Sequence, residues 1–275
     1  MAFVSTHAVE VARGERFEFG KNWRRFLDLL SPERIAAAEQ SLRSMLNVSD
    51  LKGRTFLDIG SGSGLFSLAA RRLGAEVHSF DYDPQSVACT EELRRRFFSD
   101  DPKWIVEQGS ALDPAYLESL GKFDIVYSWG VLHHTGAMWD AIENASKCVL
   151  PGGTFFIALY NDQGGVSRRW AAIKHLYVRL PRPLKPAMEV ACFCGWHGPT
   201  ILKDTLRGKP LRLFKVSERG MSVWRDLVDW VGGYPFEVAQ PGQVFEFLYA
   251  RGFTLVRMTT TNSMGCNEFV LRKDR

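Results

Sequence analysis

The sequence lacks any apolar run of the roughly 18 to 20 residues that a helix needs to cross a bilayer. Its first residues, MAFVSTHAVEVARGER, carry acidic and polar side chains where a secretory signal peptide has an apolar segment. We therefore expect a cytoplasmic protein. The 275 residues, of which 45% are hydrophobic, are enough to fill the core of one large α/β domain with an insertion, or of two smaller domains.

Cysteine is scarce as well. The five cysteines are odd in number and scattered along the chain, which does not fit a disulfide framework. Cys192, Cys194 and His197 raise the question of a metal site, but a second pair of ligands is missing and Phe193 and Trp196 lie among them. We favour buried thiols that pack as small hydrophobic side chains, and we predict no metal site.

The net charge is small, but its distribution is uneven. The chain has 35 Lys and Arg against 31 Asp and Glu, a formal net charge of +4. Residues 163–219 contain twelve basic and three acidic residues, so this segment carries +9 and the rest of the chain −5. A basic surface attracts anionic partners, and three kinds remain open: an anionic small molecule, an anionic membrane surface and a nucleic acid.

Short apolar runs alternate with helical periodicity between residues 55 and 161, which predicts a parallel sheet with crossover helices. The predicted strands are 55–59, 76–80, 104–108, 123–128 and 154–160, followed after a gap by 254–260 and 268–272. The predicted helices of this core are 65–73, 84–98, 114–120, 138–149 and 242–251. We predict four parts: an N-terminal helical segment (1–50), a cofactor-binding core (51–162), a helical insertion that covers the substrate (163–239) and the completion of the core sheet (240–275).

Residues 166–180 of the insertion have the periodicity of an amphipathic helix. The apolar stripe comprises Val166, Trp170, Ile173, Tyr177 and Leu180, whereas Arg168, Arg169, Lys174 and Arg179 fall largely outside it. Such a helix either lies on an anionic membrane or packs as a cap on its own domain, and we favour the cap.

The stretch TFLDIGSGSGLFSLAA, residues 55–70, places Gly60, Gly62 and Gly64 between a strand and a helix. A turn of this kind lets a ligand approach the backbone at a helix N-terminus. The third glycine comes one residue too early for the dinucleotide fingerprint, and a tight turn alone is another explanation. Asp81 ends the next strand, where a carboxylate can accept hydrogen bonds from a ribose diol. Together these features favour an adenosine ligand with free hydroxyls.

Five stretches, in this order and spacing, resemble the successive motifs of the class I S-adenosylmethionine-dependent methyltransferases: LDIGSGSG, FDYDPQSV, EQGSALD, FDIVYSWGVLHHTG and LPGGTFFIALYN. Within that family, the motifs most resemble those of the small-molecule, quinone-biosynthesis-like branch. The resemblance covers about residues 50–162 and resumes at 240–275. It implies a Rossmann-like α/β fold with a seven-stranded, mostly parallel sheet. The last strand would run antiparallel between the fifth and sixth, with helices on both faces and a helical cap after the fifth strand.

The resemblance also implies a cofactor, S-adenosylmethionine (SAM), which leaves as S-adenosylhomocysteine (SAH). The glycine turn would line its methionine and ribose end, Asp81 would hold the ribose hydroxyls, and Trp129 would wall the methionine end. Residues after the third strand would meet the adenine. The predicted cofactor residues are Asp58, Gly60, Ser61, Gly62, Gly64, Asp81, Tyr82, Ser110, Ala111 and Trp129.

Methyl transfer from a sulfonium is an in-line displacement, for which the protein aligns the nucleophile, the methyl group and the sulfur. A hydroxyl nucleophile also benefits from a general base. His133 and His134 lie at the ligand-binding edge of the predicted sheet, either as that base or as a polar plug at the start of a helix. Tyr160 and Asn161 follow the fifth strand at the same edge, where they would order a substrate hydroxyl or amine. These four are the catalytic candidates.

Residues 219–237 mix charged and aromatic side chains and predict a cover over a polar substrate. A helix that ends in a Gly-Gly cap, with Trp224, Leu227 and Val231 in its core, is the alternative. The predicted substrate-binding residues are Arg219, Asp226, Asp229, Trp230 and Tyr234, with Asn262 and Asn267 as secondary candidates.

We therefore predict an enzyme that transfers a methyl group from SAM to a small or lipid-linked, anionic acceptor, with O-methylation favoured and peripheral contact with an anionic membrane left open. One alternative is an RNA methyltransferase that uses the basic insertion as its footprint, with Trp170, Tyr177 and Trp196 stacking on unpaired bases. Another is a non-catalytic SAM-binding scaffold, against which the intact glycines and Asp81 argue. No motif specifies the acceptor or the oligomeric state.

Overall fold

A computed structural model of the chain describes residues 3–20, 23, 27, 29–99, 101–207 and 223–274. At twelve of these positions it describes the backbone only: 3–6, 199, 200, 202, 204, 206, 223, 225 and 226.

The described part of the chain contains one large sheet. Its strands are β1 (Thr55–Ile59), β2 (Glu76–Asp81), β3 (Trp104–Gln108), β4 (Phe123–Trp129), β5 (Val149–Tyr160), β6 (Phe253–Thr259) and β7 (Cys266–Lys273). They lie in the order β3-β2-β1-β4-β5-β7-β6. Neighbouring strands are parallel, except that β7 runs antiparallel to both β5 and β6. The expected sheet, including the place and direction of its last strand, is confirmed.

Helices connect the strands. They are α1 (Phe3–Ala12), α2 (Pro32–Leu46), α3 (Leu65–Arg72), α4 (Pro84–Phe97), α5 (Pro114–Leu120), α6 (Met138–Lys147), α7 (Gly165–Arg179), α8 (Lys185–Leu206), α9 (Val223–Gly232) and α10 (Pro241–Tyr249), with 3-10 turns at Leu132–His134 and Arg182–Leu184. Ser31, Asp83 and Asp113 begin α2, α4 and α5 in the same way, because each side chain accepts a backbone N–H of the first turn and is followed by proline. None of the described helices is long and apolar enough to span a bilayer.

Two hydrophobic cores lie on the two faces of the sheet. Consecutive strand residues point to opposite faces, so Phe56 and Leu57 of β1 belong to different cores. The core around Phe56 includes residues of α2, α3 and α4, and the core around Leu57 includes residues of α5, α6 and α10. Helices therefore cover both faces, which leaves the edge formed by the carboxyl ends of the parallel strands as the place for a ligand.

The insertion leaves and rejoins the sheet at one point. Ala239 N–H donates to Tyr160 O at 3.0 Å, and Asn161 and Ala239 form an isolated parallel bridge. Between them, α7, α8 and α9 surround a third core of Tyr177, Val178, Leu227 and Val231. We call these three helices the cap. Its stems meet directly beside the carboxyl end of β5.

The predicted apolar stripe of the first cap helix is wrong at two positions. Val166 is 39% exposed, whereas Lys174 is fully buried. The inner face of α7 is therefore rotated toward Lys174, and the helix places a basic side chain in the interior where the sequence pattern predicted solvent.

Candidate active site

The glycine turn between β1 and α3 is tightly fixed. Gly60, Gly62 and Gly64 have φ angles of 78°, 55° and 79°, in the left-handed region that favours glycine. A Cβ atom on Gly60 would lie 2.3 Å from Val131 Cγ1, and one on Gly64 would lie 2.8 Å from the Cα atom of Thr90. Glycine is required at both positions because the neighbouring chain approaches the bare backbone.

The backbone amides of this turn have hydrogen-bond partners within the protein. Gly60 N–H and Ser61 N–H both donate to Phe80 O, at 2.9 and 3.1 Å, and Gly64 N–H donates to Ser61 O at 2.8 Å. The Ser61 hydroxyl pairs with that of Thr90 at 2.9 Å. A cofactor would therefore meet the outer surface of a turn whose shape is already set.

Asp81 ends β2 beside the turn, as predicted. Its Oδ2 accepts Gly62 N–H and its Oδ1 accepts Asp83 N–H, both at 2.9 Å. Each oxygen keeps a lone pair, which fits two hydroxyl donors of a ribose. Burial, together with the negative charge of Asp83, raises the pKa of Asp81 to about 7, against the opposing effect of the backbone hydrogen bonds. These groups fit the ribose of SAM.

Asp58 lies behind the turn, and its predicted contact with the cofactor stays a prediction. Its side chain is 2% exposed and accepts a hydrogen bond from Ser67 Oγ. Ser79 Oγ donates to Ser67 Oγ at 2.8 Å, and Trp104 Nε1 donates to Ser79 Oγ at 3.0 Å. Burial raises the pKa of Asp58 to about 7. The carboxyl joins β1 to α3 through Ser67.

The predicted adenine side is held by local contacts. Ser110 Oγ accepts Leu112 N–H at 3.2 Å, and the carbonyl of the buried Ala111 accepts Asn144 Nδ2 at 3.2 Å. Tyr82 is half-buried, and burial and Glu10 raise the pKa of its hydroxyl to about 12. That hydroxyl donates to Glu10 Oε1 at 3.2 Å.

Sequence reasoning missed the part of the N-terminus that covers this cleft. Gly20 N–H donates to Asp83 Oδ2 at 2.8 Å, and a Cβ atom on Gly62 would lie 3.2 Å from the indole of Trp23. We call residues 3–20, together with Trp23, the N-terminal cover. The signal in the sequence was RFEFGKNW, residues 16–23, whose aromatic and glycine content is unusual for a solvent-exposed connection.

Arg16 joins the cover to both sides of the site. Its guanidinium lies 4.9 Å from the Tyr82 ring centre and pairs with Glu10 at 2.7 Å. Arg16 Nη1 also donates to His134 O at 2.8 Å, and Nη2 donates to Thr135 O at 3.3 Å. One side chain thus connects the ribose end of β2 with the turn after β4.

His133 and His134 lie in the 3-10 turn after β4 and are both buried. His133 Nδ1 accepts Tyr160 N–H at 3.3 Å, so the neutral ring carries its proton on Nε2, which has no hydrogen-bond partner. His134 Nδ1 donates to Pro235 O at 2.6 Å, which leaves the lone pair on Nε2. Burial, with the nearby charge of Lys174, lowers the pKa of His133 far below its usual range and that of His134 to about 3. Both rings are therefore neutral at physiological pH, and both are weak bases.

Tyr160 lies between these histidines and the cap. Its ring centre is 3.9 Å from that of His133 and 5.3 Å from that of Trp230. Tyr160 and Trp230 are half-buried, and Trp230 Nε1 is a buried donor without a partner. The structure thus brings two predicted catalytic residues and one predicted substrate residue into one aromatic group.

Three other predicted residues of this edge serve the structure. Asn161 Nδ2 donates to Thr261 O at 2.9 Å, and Asn161 Oδ1 accepts Asn267 Nδ2 at 3.1 Å, so both ends of its amide are engaged. Asn267 is 1% exposed. Trp129 Nε1 donates to Glu268 Oε1 at 2.7 Å. These contacts tie the loop between β6 and β7 to the sheet.

The remaining predicted substrate residues do not form one group. Asp229 and Tyr234 are half-buried in the cap, where the Tyr234 ring packs on His175 at 4.9 Å. Arg219 lies outside the described residues, as does the side chain of Asp226. Asn262 is exposed on the loop before β7.

The cysteines are only partly as predicted. Cys89 and Cys148 are buried, but Cys192 is half-buried and Cys194 is exposed, so burial does not explain the whole CFCGWH stretch. Within the described part of the chain, no three His, Cys, Asp or Glu side chains are grouped closely enough to hold a metal ion.

Comparison with known proteins gives a consistent assignment. Residues 57–155 match a family described as a methyltransferase domain. A ubiquinone biosynthesis O-methyltransferase from Methylobacterium sp. (strain 4-46) is 31% identical over 174 residues, which cover 57% of this chain and 65% of that protein. A tRNA U34 carboxymethyltransferase from Pseudomonas savastanoi pv. phaseolicola is 30% identical over 149 residues, which cover 51% of this chain and 44% of that protein. The chain spans less than two thirds of the length of either relative.

Solved structures share the fold. A magnesium protoporphyrin IX methyltransferase from Synechocystis PCC 6803, crystallised with SAH, superposes with a TM-score of 0.51 at 15% identity, over 88% of this chain and 83% of that one. An S-adenosylmethionine-dependent methyltransferase from Mesorhizobium loti gives a TM-score of 0.51 at 15% identity, over 86% and 98%. The chain therefore contains a region that matches a methyltransferase domain, and it shares its fold with solved S-adenosylmethionine-dependent methyltransferases.

Proposed function

We propose that this protein methylates an oxygen atom of a small or lipid-linked, anionic acceptor, with SAM as the methyl donor. The proposal rests on one observation: two groups of residues, which we call half-sites, lie at the same edge of the sheet. Asp81 and the glycine turn form the cofactor side, and His133, His134 and Tyr160 form the other side. Arg16 contacts both sides.

The reaction needs alignment more than chemical activation. SAM supplies a methyl group on a positively charged sulfur, and the acceptor oxygen must meet it in line. The residues of the turn after β4 have fixed hydrogen-bonding roles for this task. His133 Nε2–H is an unpartnered buried donor for an acceptor oxygen, and the His134 Nε2 lone pair can orient a hydroxyl. The cover and the cap keep water from this edge.

The preference for an anionic acceptor rests on the charge of the insertion. Arg168, Arg169, Arg179 and Arg182 are exposed on the cap beside the site, and Lys174 is buried within it. Exposed basic groups raise the local concentration of anions through a field that salt screens over about 8 Å at physiological ionic strength.

The outer face of α8 supports a lipid-linked acceptor. Ala187, Val190, Ala191 and Cys194 recur at helical spacing on this face and are all exposed, Val190 at 50%. Exposed basic side chains precede and follow the face, Arg182 before it and Lys203 after it. An apolar face flanked by cations is the pattern of a helix that lies on an anionic bilayer.

A polynucleotide acceptor is less well supported, although one relative is a tRNA U34 carboxymethyltransferase. Of the three aromatic side chains expected to stack on bases, Tyr177 is 3% exposed in the cap core and Trp170 packs there between Trp196 and Trp230. Only Trp196 is exposed, at 39%. A stacking platform needs ring faces that are open to the bases.

Incubation with methyl-labelled SAM and fractionated cell extract tests the proposal. We expect label in the organic-soluble or anionic small-molecule fraction, in a base-stable ether or base-labile ester. Label in RNA instead, or label in no fraction while calorimetry detects SAH binding, would overturn it. Asp81→Asn is the matched control, since it should bind the cofactor more weakly and lower the labelling of every fraction.

Sedimentation with vesicles tests the lipid contact separately. We expect the protein to bind phosphatidylglycerol vesicles but not phosphatidylcholine vesicles at low salt. Val190→Glu should abolish binding, whereas Val256→Glu, at a 57% exposed position on β6, should leave it unchanged. Equal binding by both variants would contradict a role for the α8 face. An effect of Val190→Glu on size-exclusion elution without vesicles would indicate self-association instead.

A further inference from the structure

Lys174 is the one buried lysine among the described residues, and none of the contacts described above requires it to be basic. It lies on the inner face of α7 and is 0% exposed. A buried cation loses hydration that only close partners replace, at a cost of several kcal/mol. A leucine or methionine would fill the same volume without that penalty. The lysine therefore calls for a chemical explanation.

The surroundings of Lys174 stabilise an ammonium group. Its Nζ donates to Trp230 O and lies 4.3 Å from the Trp230 ring centre and 4.8 Å from that of Phe236. Aromatic faces attract a cation, most strongly where water is excluded. Burial nevertheless lowers the pKa of Lys174 to about 7, and the nearby charge of Asp229 offsets only part of this effect. The amine therefore exchanges a proton near neutral pH.

Two unpartnered donors belong to the same aromatic group. His133 Nε2 and Trp230 Nε1 are buried without hydrogen-bond partners. The Tyr160 ring connects them, with its centre 3.9 Å from that of His133 and 5.3 Å from that of Trp230. Buried donors without partners are uncommon, and an oxygen atom of a ligand would satisfy them.

The neighbouring charged and titratable groups do not provide another base of suitable strength. His133 and His134, on the turn after β4, have pKa values far below neutral, and Lys174 contributes to both shifts. Asp229, on α9, is the anion that acts on Lys174. General-base catalysis is most efficient when the pKa of the base lies near the working pH, which favours the lysine over either histidine.

We propose that Lys174 is the general base of this site and accepts the proton of the acceptor hydroxyl. This inference rests on the proposed O-methylation. The hydroxyl proton moves to the neutral Nζ, an oxygen lone pair forms the bond to the methyl carbon, and the carbon–sulfur bond breaks with its electron pair on sulfur. The products are a methyl ether or ester, neutral SAH and the Lys174 ammonium group, which Trp230 O and the two ring faces hold.

The acceptor must reach Lys174 past the aromatic side chains that cover it. Tyr160, Trp230 and Phe236 are each half-buried, so part of each side chain is exposed. We assign the moving part to Trp230, whose rotation would break ring contacts with Tyr160 and Phe236 but no hydrogen bond of its indole N–H. The His133 Nε2–H then donates to the oxygen that Lys174 deprotonates.

Three variants test the base with the labelled-SAM assay. Lys174→Met should lower the turnover of the acceptor at pH 7 by about 10²-fold or more while SAH affinity stays unchanged. Lys174→Arg keeps the positive charge but cannot accept a proton, so it should be equally slow. Lys52→Met, at an exposed lysine outside the cap, is the control and should behave as wild type. At saturating SAM, wild-type turnover should fall with decreasing pH below about 7, and this dependence should disappear in Lys174→Met.

The outcomes are separable. A Lys174→Arg variant with wild-type turnover, or a Lys174→Met variant with the wild-type pH profile, would refute the base. If wild-type protein labels no acceptor, the proposed function fails, and trace acetylation with acetic anhydride still tests the lysine. In that experiment Lys174 should titrate near pH 7, and a midpoint above 9 would also refute the inference. SAH binding by each variant verifies its fold.

Discussion

Asp81 should make the affinity for SAH depend on pH. Burial raises the pKa of this carboxyl to about 7 in the free protein. Ribose hydroxyls donate hydrogen bonds, so they bind the ionised carboxylate better than the protonated form. Cofactor binding therefore lowers the pKa of Asp81 and releases a proton. Affinity should be highest above pH 7 and should fall as the pH falls through 7.

The size of the effect follows from the pKa. With a midpoint of about 7, the carboxyl is about 90% ionised at pH 8 and about 10% ionised at pH 6. If only the ionised form binds, the dissociation constant of SAH rises about tenfold between these values, or about 1.4 kcal/mol of binding free energy.

Isothermal titration calorimetry at pH 6, 7 and 8 measures how the dissociation constant of SAH changes with pH. Asp81→Asn should bind SAH more weakly and show no pH dependence. Asp58→Asn is the necessary control, because Asp58 titrates in the same range but lies behind the turn, and it should keep the wild-type slope. The role of Asp81 would be refuted if the SAH affinity of the wild-type protein did not change with pH, or if the affinity of Asp81→Asn still changed with pH.

Three further variants test the rest of the site. His134→Gln should change turnover by less than about tenfold and leave SAH affinity unchanged, since an imidazole with a pKa of about 3 is not a base at neutral pH; a larger loss would return the base role to His134. Arg16→Met should lower the free energy of unfolding in urea by about 1.5 to 3 kcal/mol through its lost hydrogen bonds, with an unchanged midpoint as the contrary result. Gly60→Ala should lower the free energy of unfolding far more than Gly130→Ala. Both glycines have φ angles near 77°, but only a Cβ atom on Gly60 would collide with Val131. Similar losses in the two variants would mean that the backbone conformation alone determines the cost.

The strands of the sheet were predictable because each is a short apolar run bounded by charged residues or glycine. The strands at 55–59 and 104–108 agree with the structure at both ends. The fifth strand begins at Val149 rather than at 154, since Val149 pairs with Phe123 before the Pro-Gly-Gly stretch. Proline and glycine normally end a strand, and only the partner strand reveals that this one continues.

The cofactor side of the site was predictable in part, for a different reason. Gly62 and Asp81 come from adjacent parallel strands, so their neighbourhood follows from the βαβ unit alone. The pairing of Gly20 with Asp83, and of Arg16 with the turn after β4, joins residues 63 and 118 positions apart. No local periodicity encodes such contacts, and the N-terminal segment was therefore read only as helical.

Lys174 is the case in which helical periodicity points the wrong way. An apolar stripe through Trp170 and Ile173 leaves Lys174 outside the buried face of the helix. The sequence of this helix alone gives no reason to place a lysine on that face. The reason lies on α9 and in the stretch that follows it, whose Trp230 carbonyl, Trp230 ring and Phe236 ring replace the water around the amine. Hydrophobic patterning assumes that a charge seeks solvent, and it fails where the fold supplies another environment.

The two sides of the site are also mechanically connected. Arg16 contacts the Tyr82 ring, next to Asp81, and donates to the carbonyl groups of His134 and Thr135, next to His133. Phe17 N–H donates to Tyr234 O of the cap at 2.9 Å. The N-terminal cover therefore contacts the core and the cap at once. Under the proposed function, cofactor entry would disturb contacts that also position the acceptor side, so the cover, rather than either half-site alone, would determine when both halves are in place.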